Sequence, residues 1–318
     1  MKTLLLIYEG IIIRIPILHL KEGFMDRYID IKKKIIEYAS QDEDIKAIIA
    51  IGSTTREEVK ADEYSDLDLI IVAEDTEKWY SGEYPNRFGD MKISFIEPTL
   101  GGGKERRCIY DDDRDVDMII FTQSQFDTAL KTGVASWVMN RGYDVLYDAI
   151  AIEKEIGTNV KKGHSTPNIS AEEFENMVND FYFHNIWARK KLLRGELWSA
   201  KMCVDAYLKN YLLKAIELYC YEIEGKDVWH DGRFIDIWAG EHIINELGKC
   251  FAHYEKSDVL NALKSTNNLF EEITREFAMK KGYVYFNYVR KLETWPKPTS
   301  GLDGGDFDIL NVFQYDPL

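Results

Sequence analysis

Gly52-Ser53, Asp66 and Asp68 stand close enough in this chain to do chemistry together. They belong to the stretch Ala-Ile-Ile-Ala-Ile-Gly-Ser-Thr-Thr-Arg, residues 47–56, and to Tyr-Ser-Asp-Leu-Asp-Leu-Ile-Ile-Val, residues 64–72. An apolar strand runs into a Gly-Ser turn, a polar link follows, and a second apolar strand carries carboxylates at i and i+2. On a strand that spacing puts both carboxylates on one face, while Leu67, Leu69 and Ile71 take the other. Two carboxylates held side by side in an apolar setting repel, and the simplest compensation is a divalent cation. Paired aspartate oxygens suit Mg²⁺, which is commonly shared between carboxylates and substrate phosphates. Gly52 allows close backbone approach, and Ser53 adds a hydroxyl and an N–H for phosphate oxygens. A bare Asp-x-Asp would read as a solvated turn; the compound pattern is far more specific.

The elements that must position these groups can be read from periodicity. Residues 26–40 have helical spacing in Tyr28, Ile29, Ile31, Ile35, Ile36 and Tyr38, followed by a strand at 45–51. Strands are expected at 67–72 and 91–96, a hairpin from 107–110 and 116–121, a helix at 124–132 and a short strand at 144–147. The triple glycine Gly101-Gly102-Gly103 lacks phosphate-loop spacing and reads as a mobile loop. Residues 154–169 are polar, with Gly157, Gly163, Ser165 and Pro167, and read as a linker. Ser170 followed by Glu173 is a capping signal. Long helical patterns then cover 171–194, 197–222, 240–251 and 256–281, with 283–294 completing the set. The fold class is therefore α+β: an N-terminal mixed β-sheet flanked by helices, residues 25–153, then a helical bundle, residues 170–295. Residues 1–24 are expected to lie outside the fold as an extension, and 296–318 to form an irregular tail.

The chain has 318 residues, enough for two cores, and a net charge of −15. That balance argues against nucleic acid as the main partner and suits a cationic small substrate. Cys108, Cys203, Cys220 and Cys250 show no metal-ligand spacing and read as reduced thiols. With no apolar run of about 20 residues and no signal-type cleavage site, neither a membrane span nor export is expected. The expected location is the cytoplasm.

The Gly-Ser turn and Asp-x-Asp strand resemble the nucleotidyltransferase superfamily that includes DNA polymerase β and the antibiotic adenylyltransferases. The resemblance implies that the turn grips the triphosphate of ATP, that the aspartates bind catalytic Mg²⁺, and that a third acidic residue on a neighbouring strand completes the site. Asp117, against the apolar run Met118-Ile119-Ile120-Phe121, is placed better for that than Asp115. A narrower resemblance is to the aminoglycoside 6-adenylyltransferase (streptomycin adenylyltransferase) family. It rests on Arg87-Phe88-Gly89-Asp90, the acidic turn before Val116-Asp117-Met118, and Arg141-Gly142-Tyr143-Asp144-Val145-Leu146-Tyr147-Asp148. Farther on it rests on Asn179-Asp180-Phe181, Lys190 to Leu197 with Ala200-Lys201, and Asp231-Gly232-Arg233-Phe234. The pattern departs in two places. Thr54 and Thr55 stand where an Arg often follows Gly-Ser, with Arg56 two residues later, and Ala149 stands where a Lys is expected.

A metal-bound triphosphate needs cations, and an acceptor hydroxyl needs a base. Asp180, His184, Trp187, Lys191, Arg194 and Trp198 fall at steps of three and four, on one helical face. Such a stripe is usually a solvated face, but two Trp within it point to a cleft. Lys201 is the first candidate for the triphosphate, with Lys191, Arg194 and Arg56 behind it. Asp180, or Asp117 itself, is the candidate base. For His184, Tyr207 and Trp229, packing is the stronger expectation. The expected reaction is Mg²⁺-dependent transfer of AMP from ATP to a hydroxyl of a streptomycin-like aminoglycoside, releasing pyrophosphate and giving resistance. The alternative is nucleotidyl transfer to another acceptor: a lincosamide, or protein or RNA as in a toxin–antitoxin module.

Overall fold

The computed structural model describes residues 3–8, 11–16, 26–56, 58–99, 103–161, 163 and 166–285. The chain divides into two compact units, Met1–His164 and Ser165–Leu318, a division inside the stretch expected as a linker.

The first unit is built on one eight-stranded sheet. Its elements run β1 (Thr3–Tyr8), β2 (Ile11–Pro16), α1 (Ile29–Ala39), β3 (Ile45–Ile51), β4 (Leu67–Ala73), α2 (Glu77–Tyr80), β5 (Met91–Pro98), β6 (Lys104–Tyr110), β7 (Arg114–Phe121), α3 (Gln123–Thr132), α4 (Val134–Met139), β8 (Asp144–Asp148) and α5 (Ile152–Asn159). The strand order is β1-β2-β8-β3-β4-β7-β6-β5. Only β4 and β7 run parallel; every other neighbouring pair is antiparallel.

Both faces of the central strands are covered, which is why 45–51 and 67–73 read as nearly unbroken apolar runs. Leu67, Leu69, Ile71, Val116, Met118 and Ile120 pack with Ile31 and Ile35 of α1 and with Trp79 of α2. Ile70, Val72 and Phe121 pack on the other face with Phe126 and Leu130 of α3, Met139 of α4, and Ile152 and Ile156 of α5. Asp68 and Asp117 have the parity of this second face. Each therefore interrupts an otherwise buried row at the end of the sheet where β3 gives way to its turn.

Two boundaries differ from the sequence expectation. Residues 1–24 were expected outside the fold, yet residues 3–8 and 11–16 form a hairpin whose second strand pairs with β8 through Ile12–Asp148 and Ile13–Tyr147. That pairing partner lies more than 130 residues away, beyond any local pattern. The expected linker 154–169 begins inside α5. The Asp148 carboxylate accepts the N–H groups of Ile150, Ile152 and Glu153 and so caps that helix.

The second unit is helical: α6 (Ala171–Leu193), α7 (Leu197–Met202), α8 (Leu208–Glu222), α9 (Ile235–Trp238), α10 (Glu241–Gly248) and α11 (Lys256–Lys281). Ser170 and Glu173 form the capping box that starts α6. A π-helical turn, Cys203–Tyr207, joins α7 to α8. The stacked pair Phe181–Phe270, 3.6 Å between centroids, ties α6 to α11. The helix expected over 283–294 does not continue from α11: Gly282 ends it in the left-handed region, and residues 283–285 are not helical. The remainder of that helix, the tail 296–318, Gly101 and Gly102 lie outside the described residues.

Candidate active site

Strand β3 ends at Ile51, and Gly52 turns the chain with φ +71° into a single 3₁₀ turn, Gly52–Thr54. The glycine is required twice over. That φ disfavours any side chain, and a β-carbon on Gly52 would lie 2.0 Å from Asp68 Oδ2. Ser53 is buried, and its hydroxyl donates to the Asp66 carbonyl at 3.1 Å and to Asp66 Oδ1 at 3.3 Å. The turn and the residue just before β4 are thus fastened together across the polar link.

Asp68 on β4 and Asp117 on β7 are register partners in the parallel ladder. Asp66, Asp68 and Asp117 each offer a carboxylate oxygen, and these oxygens lie within 4.8 Å of one another. Asp115, two residues earlier on β7, is exposed, whereas Asp117 is 8 % exposed. Burial pushes the Asp117 carboxyl up to about 7, against the pull of Arg107 and with the push of Glu105 and Asp66. A carboxylate crowded this way gains most from a cation.

Sequence reading passed over two neighbours of Asp117. Glu105 on β6 is buried, and Arg107, the register partner of Asp117, reaches three carboxylates with its Nε: Glu97 at 2.8 Å, Glu105 at 3.0 Å and Asp117 at 3.6 Å. The signal was present as Glu-Arg-Arg, residues 105–107, but only the strand pairing shows which of them meet Asp117. Gly142, from the Arg141-Gly142 phrase, is also explained: a β-carbon there would lie 2.4 Å from the Thr55 carbonyl, so this loop packs tightly on the one that follows the Gly-Ser turn.

The remaining candidates are placed as follows. Arg56 donates its Nε to the Val59 carbonyl at 2.8 Å, within its own loop. In the helical unit, Lys191 pairs with Glu196 at 2.5 Å and lies over the Trp187 ring; Arg194, largely exposed, meets Glu196 at 2.9 Å. The Lys201 ammonium donates to the Asp205 carboxylate and the Ala252 carbonyl. Asp180 accepts from Tyr207 at 2.9 Å and pairs with His184 Nδ1 at 2.7 Å. Of His184 and Tyr207, expected as packing residues, the first is half-buried and the second exposed; their ring centroids lie 4.0 Å apart with the planes tilted by 41°. All four cysteines are buried and unbridged. Among the described residues, no helix is long and apolar enough to cross a membrane.

A Gly-Ser turn at a strand end, one aspartate just before the adjoining strand, one on it and a third on that strand's parallel neighbour bring together the groups that the resemblance to nucleotidyltransferases singled out. The chain belongs to the streptomycin adenylyltransferase family, which matches residues 25–295, and it is an enzyme of the adenylyltransferase kind. Its fold is similar to that of an aminoglycoside 6-adenyltransferase from Bacillus subtilis, at 14% identity and TM-score 0.41, covering 86% of this chain and 97% of that one. It is also similar to a nucleotidyltransferase-like protein from Exiguobacterium sibiricum 255-15, at 10% identity and TM-score 0.36, covering 82% of this chain and 79% of that one. No curated protein matches the sequence significantly.

Proposed function

We propose that the protein transfers AMP from ATP to a hydroxyl of a cationic aminoglycoside of the streptomycin kind, with Mg²⁺, and releases pyrophosphate. The observation that carries this reading is the convergence of Asp66, Asp68 and Asp117 oxygens within 4.8 Å. The donor set fits Mg²⁺: three hard carboxylates, one of them buried, with the Asp68 carboxylate lying directly against Gly52 of the turn. When bound, the metal would polarise the phosphoryl oxygens and stabilise attacking and leaving oxygens alike.

The residues divide the remaining work. Asp66, Asp68 and Asp117 hold the charge that receives the metal. Gly52, without a β-carbon, leaves room for the Asp68 carboxylate against the turn, and Ser53 keeps the turn in register with Asp66. Lys201, Lys191, Arg194 and Arg56 are the cations available for triphosphate charge. The Asp180 cluster is the proton-handling group of the helical unit. The excess of 55 acidic over 40 basic residues favours the approach of a polycation. ATP as donor places the reaction in the cytoplasm.

The test is a pyrophosphate-release screen with ATP, Mg²⁺ and a panel of aminoglycosides and lincosamides, with mass detection of a bound AMP. AMP on an aminoglycoside is the expected product. AMP only on a lincosamide, a protein or an RNA would overturn the acceptor and leave the nucleotidyl transfer standing.

A further inference from the structure

The Gly-Ser turn carries no cation of its own. Gly52, Ser53 and Thr54 form it, Thr55 follows, and Arg56 turns its Nε to the Val59 carbonyl. A triphosphate held at this turn needs positive charge within reach. Two cations stand beside the turn in the same unit. Thr54 lines a cavity of about 180 Å³, and its other walls include Arg27 and Tyr28 at the start of α1, Lys32 on α1, and Asp26 and Asp62. Size selects the occupant. A water takes about 30 Å³ of liquid volume, so this cavity has room for a phosphate group. Drug-sized ligands fill roughly 300–1,000 Å³, so a whole nucleoside or aminoglycoside is too large for it.

Hydrogen bonds fasten the cavity walls to the two strands that carry the aspartates. Tyr28 is buried, and its hydroxyl donates to the Ser65 carbonyl at 2.9 Å, one residue before Asp66. Arg114, the first residue of β7, donates Nη1 to the Arg27 carbonyl at 3.2 Å. The Arg27 guanidinium donates to the Glu63 carbonyl in the link between turn and strand. Partial burial and the charges of Asp66 and Asp113 raise the Asp115 carboxyl, while Arg107 and Arg27 pull it down. Arg27 and Asp66 therefore act on one group, which places the cavity at the edge of the aspartate cluster. Both carboxylates in the walls are engaged. Asp26 accepts the Tyr28 N–H at 2.9 Å and pairs with Lys32 at 3.0 Å. Asp62 accepts the Tyr64 N–H and the Ser65 hydroxyl, each at 3.0 Å, inside its own loop. A guanidinium has five donors and an ammonium three, so each can keep a protein partner and still meet a phosphate oxygen.

We propose that Arg27 and Lys32 bind the terminal phosphate of the nucleotide in this cavity, supplying from the start of α1 the charge that the Gly-Ser turn lacks. This inference rests on the adenylyl-transfer reading and adds to it two cations of the unit that holds the aspartates. Arg27 grips the phosphate through its fork of N–H groups, and Lys32 acts as a point charge oriented by Asp26. Thr54 lets the phosphate pass from the turn into the cavity without a bulky side chain in its way.

The experiment is calorimetric titration of the full chain and of Arg27→Gln and Lys32→Gln. The probes, each with Mg²⁺, are an ATP analogue with a methylene bridge between α- and β-phosphorus, AMP, and inorganic tripolyphosphate. Each substitution is expected to weaken the ATP analogue and tripolyphosphate roughly 10- to 100-fold, the range for hydrogen bonds to charged groups. AMP, which has no terminal phosphate, is expected to stay within about twofold, as is Mn²⁺ bound without nucleotide. Arg27→Lys, which keeps the charge and loses the fork, is expected to recover part of the affinity. Unchanged binding of the ATP analogue in Arg27→Gln overturns the proposal. So does an equal loss for AMP and the analogue, which would assign the residue to the fold or to the nucleoside. If the wild type binds tripolyphosphate but adenylylates no acceptor, the reaction reading fails and the cavity stands. A wild type that binds neither anion overturns the cavity too.

Discussion

Gly52 and Asp68 are packed so closely that a methyl group on the first would stand 2.0 Å from Oδ2 of the second. The turn proposed to approach phosphate and the carboxylate proposed to receive metal are therefore one steric unit. Gly52→Ala forces a side chain into φ +71° and pushes Asp68 out of the cluster. The strain costs roughly 1–2 kcal/mol of stability. The displaced carboxylate costs more in function: turnover is expected to fall at least about 100-fold, a loss of roughly 2.7 kcal/mol in barrier. Thermal melts and AMP-transfer rates measured on the same preparation check this, and a fully active Gly52→Ala would break the link.

Asp66→Asn and Asp68→Asn are expected to abolish transfer while keeping the fold, because each removes a negative charge from a crowded set. Circular dichroism and melting without metal should show a stability equal to or above that of the wild type. Mn²⁺ binding followed by electron paramagnetic resonance should be lost in both. Near-normal turnover in either variant would show that the cluster is not the metal site.

Arg107 pairs with three carboxylates, Glu97, Glu105 and Asp117, and so competes with any cation for the last of them. Its side chain is 44% exposed, and pairs of that kind are worth at most about 1 kcal/mol. Arg107→Gln is therefore expected to tighten Mn²⁺ binding by at most about fivefold and to lower the melting temperature without metal. Calorimetric titration separates the two effects. Weaker metal binding in the variant would mean that Arg107 supports the cluster instead of competing for it.

Much of this arrangement was legible in sequence, and the exceptions share a cause. The strands expected at 45–51 and 67–72, the capping box at Ser170 and the place of Asp117 against the apolar run of β7 rest on local pattern, which the chain states within a few residues. The β1–β2 hairpin and the contact of Arg107 with Asp117 depend on strand pairing, which local pattern does not encode. Helix α5 was missed because only Ile152 and Ile156 mark its buried face, and its cap, Asp148, sits at the end of a strand. The contact of His184 with Tyr207, 23 positions on, depends on the π-helical turn between α7 and α8, which local pattern does not announce.

Lys201 is the first cation we propose for the triphosphate, and its present partners sharpen the test. The ammonium donates to Asp205 and to the Ala252 carbonyl, so a phosphate would have to share or replace them. Lys201→Ala is expected to weaken ATP binding or slow transfer at least tenfold, about 1.4 kcal/mol. Asp205→Asn, which frees the ammonium, is expected to do neither. Unchanged nucleotide kinetics in Lys201→Ala would shift the role to Lys191, Arg194 or Arg56.

Glu217 offers a test of the helical unit that is independent of catalysis. It lies on α8, and its buried Oε1 has no hydrogen-bond partner among the described residues. Burial pushes its carboxyl up to about 7, and Asp231 adds to that shift, although a backbone N–H at Gly232 and the charge of Lys214 oppose it. The folded chain therefore holds this proton over a range where the unfolded chain, near the ordinary value of 4.5, has lost it. Stability from this group is complete below about pH 4.5, falls as pH rises towards 7, and stays lower above that. Glu217→Gln removes the charge and should be close to neutral at pH 4.5 but stabilising at pH 8, by on the order of 1–2 kcal/mol after allowing for partial solvation. Melting curves of both proteins at the two pH values decide the matter. A gain of equal size at both would assign the effect to packing of the amide and not to the buried charge.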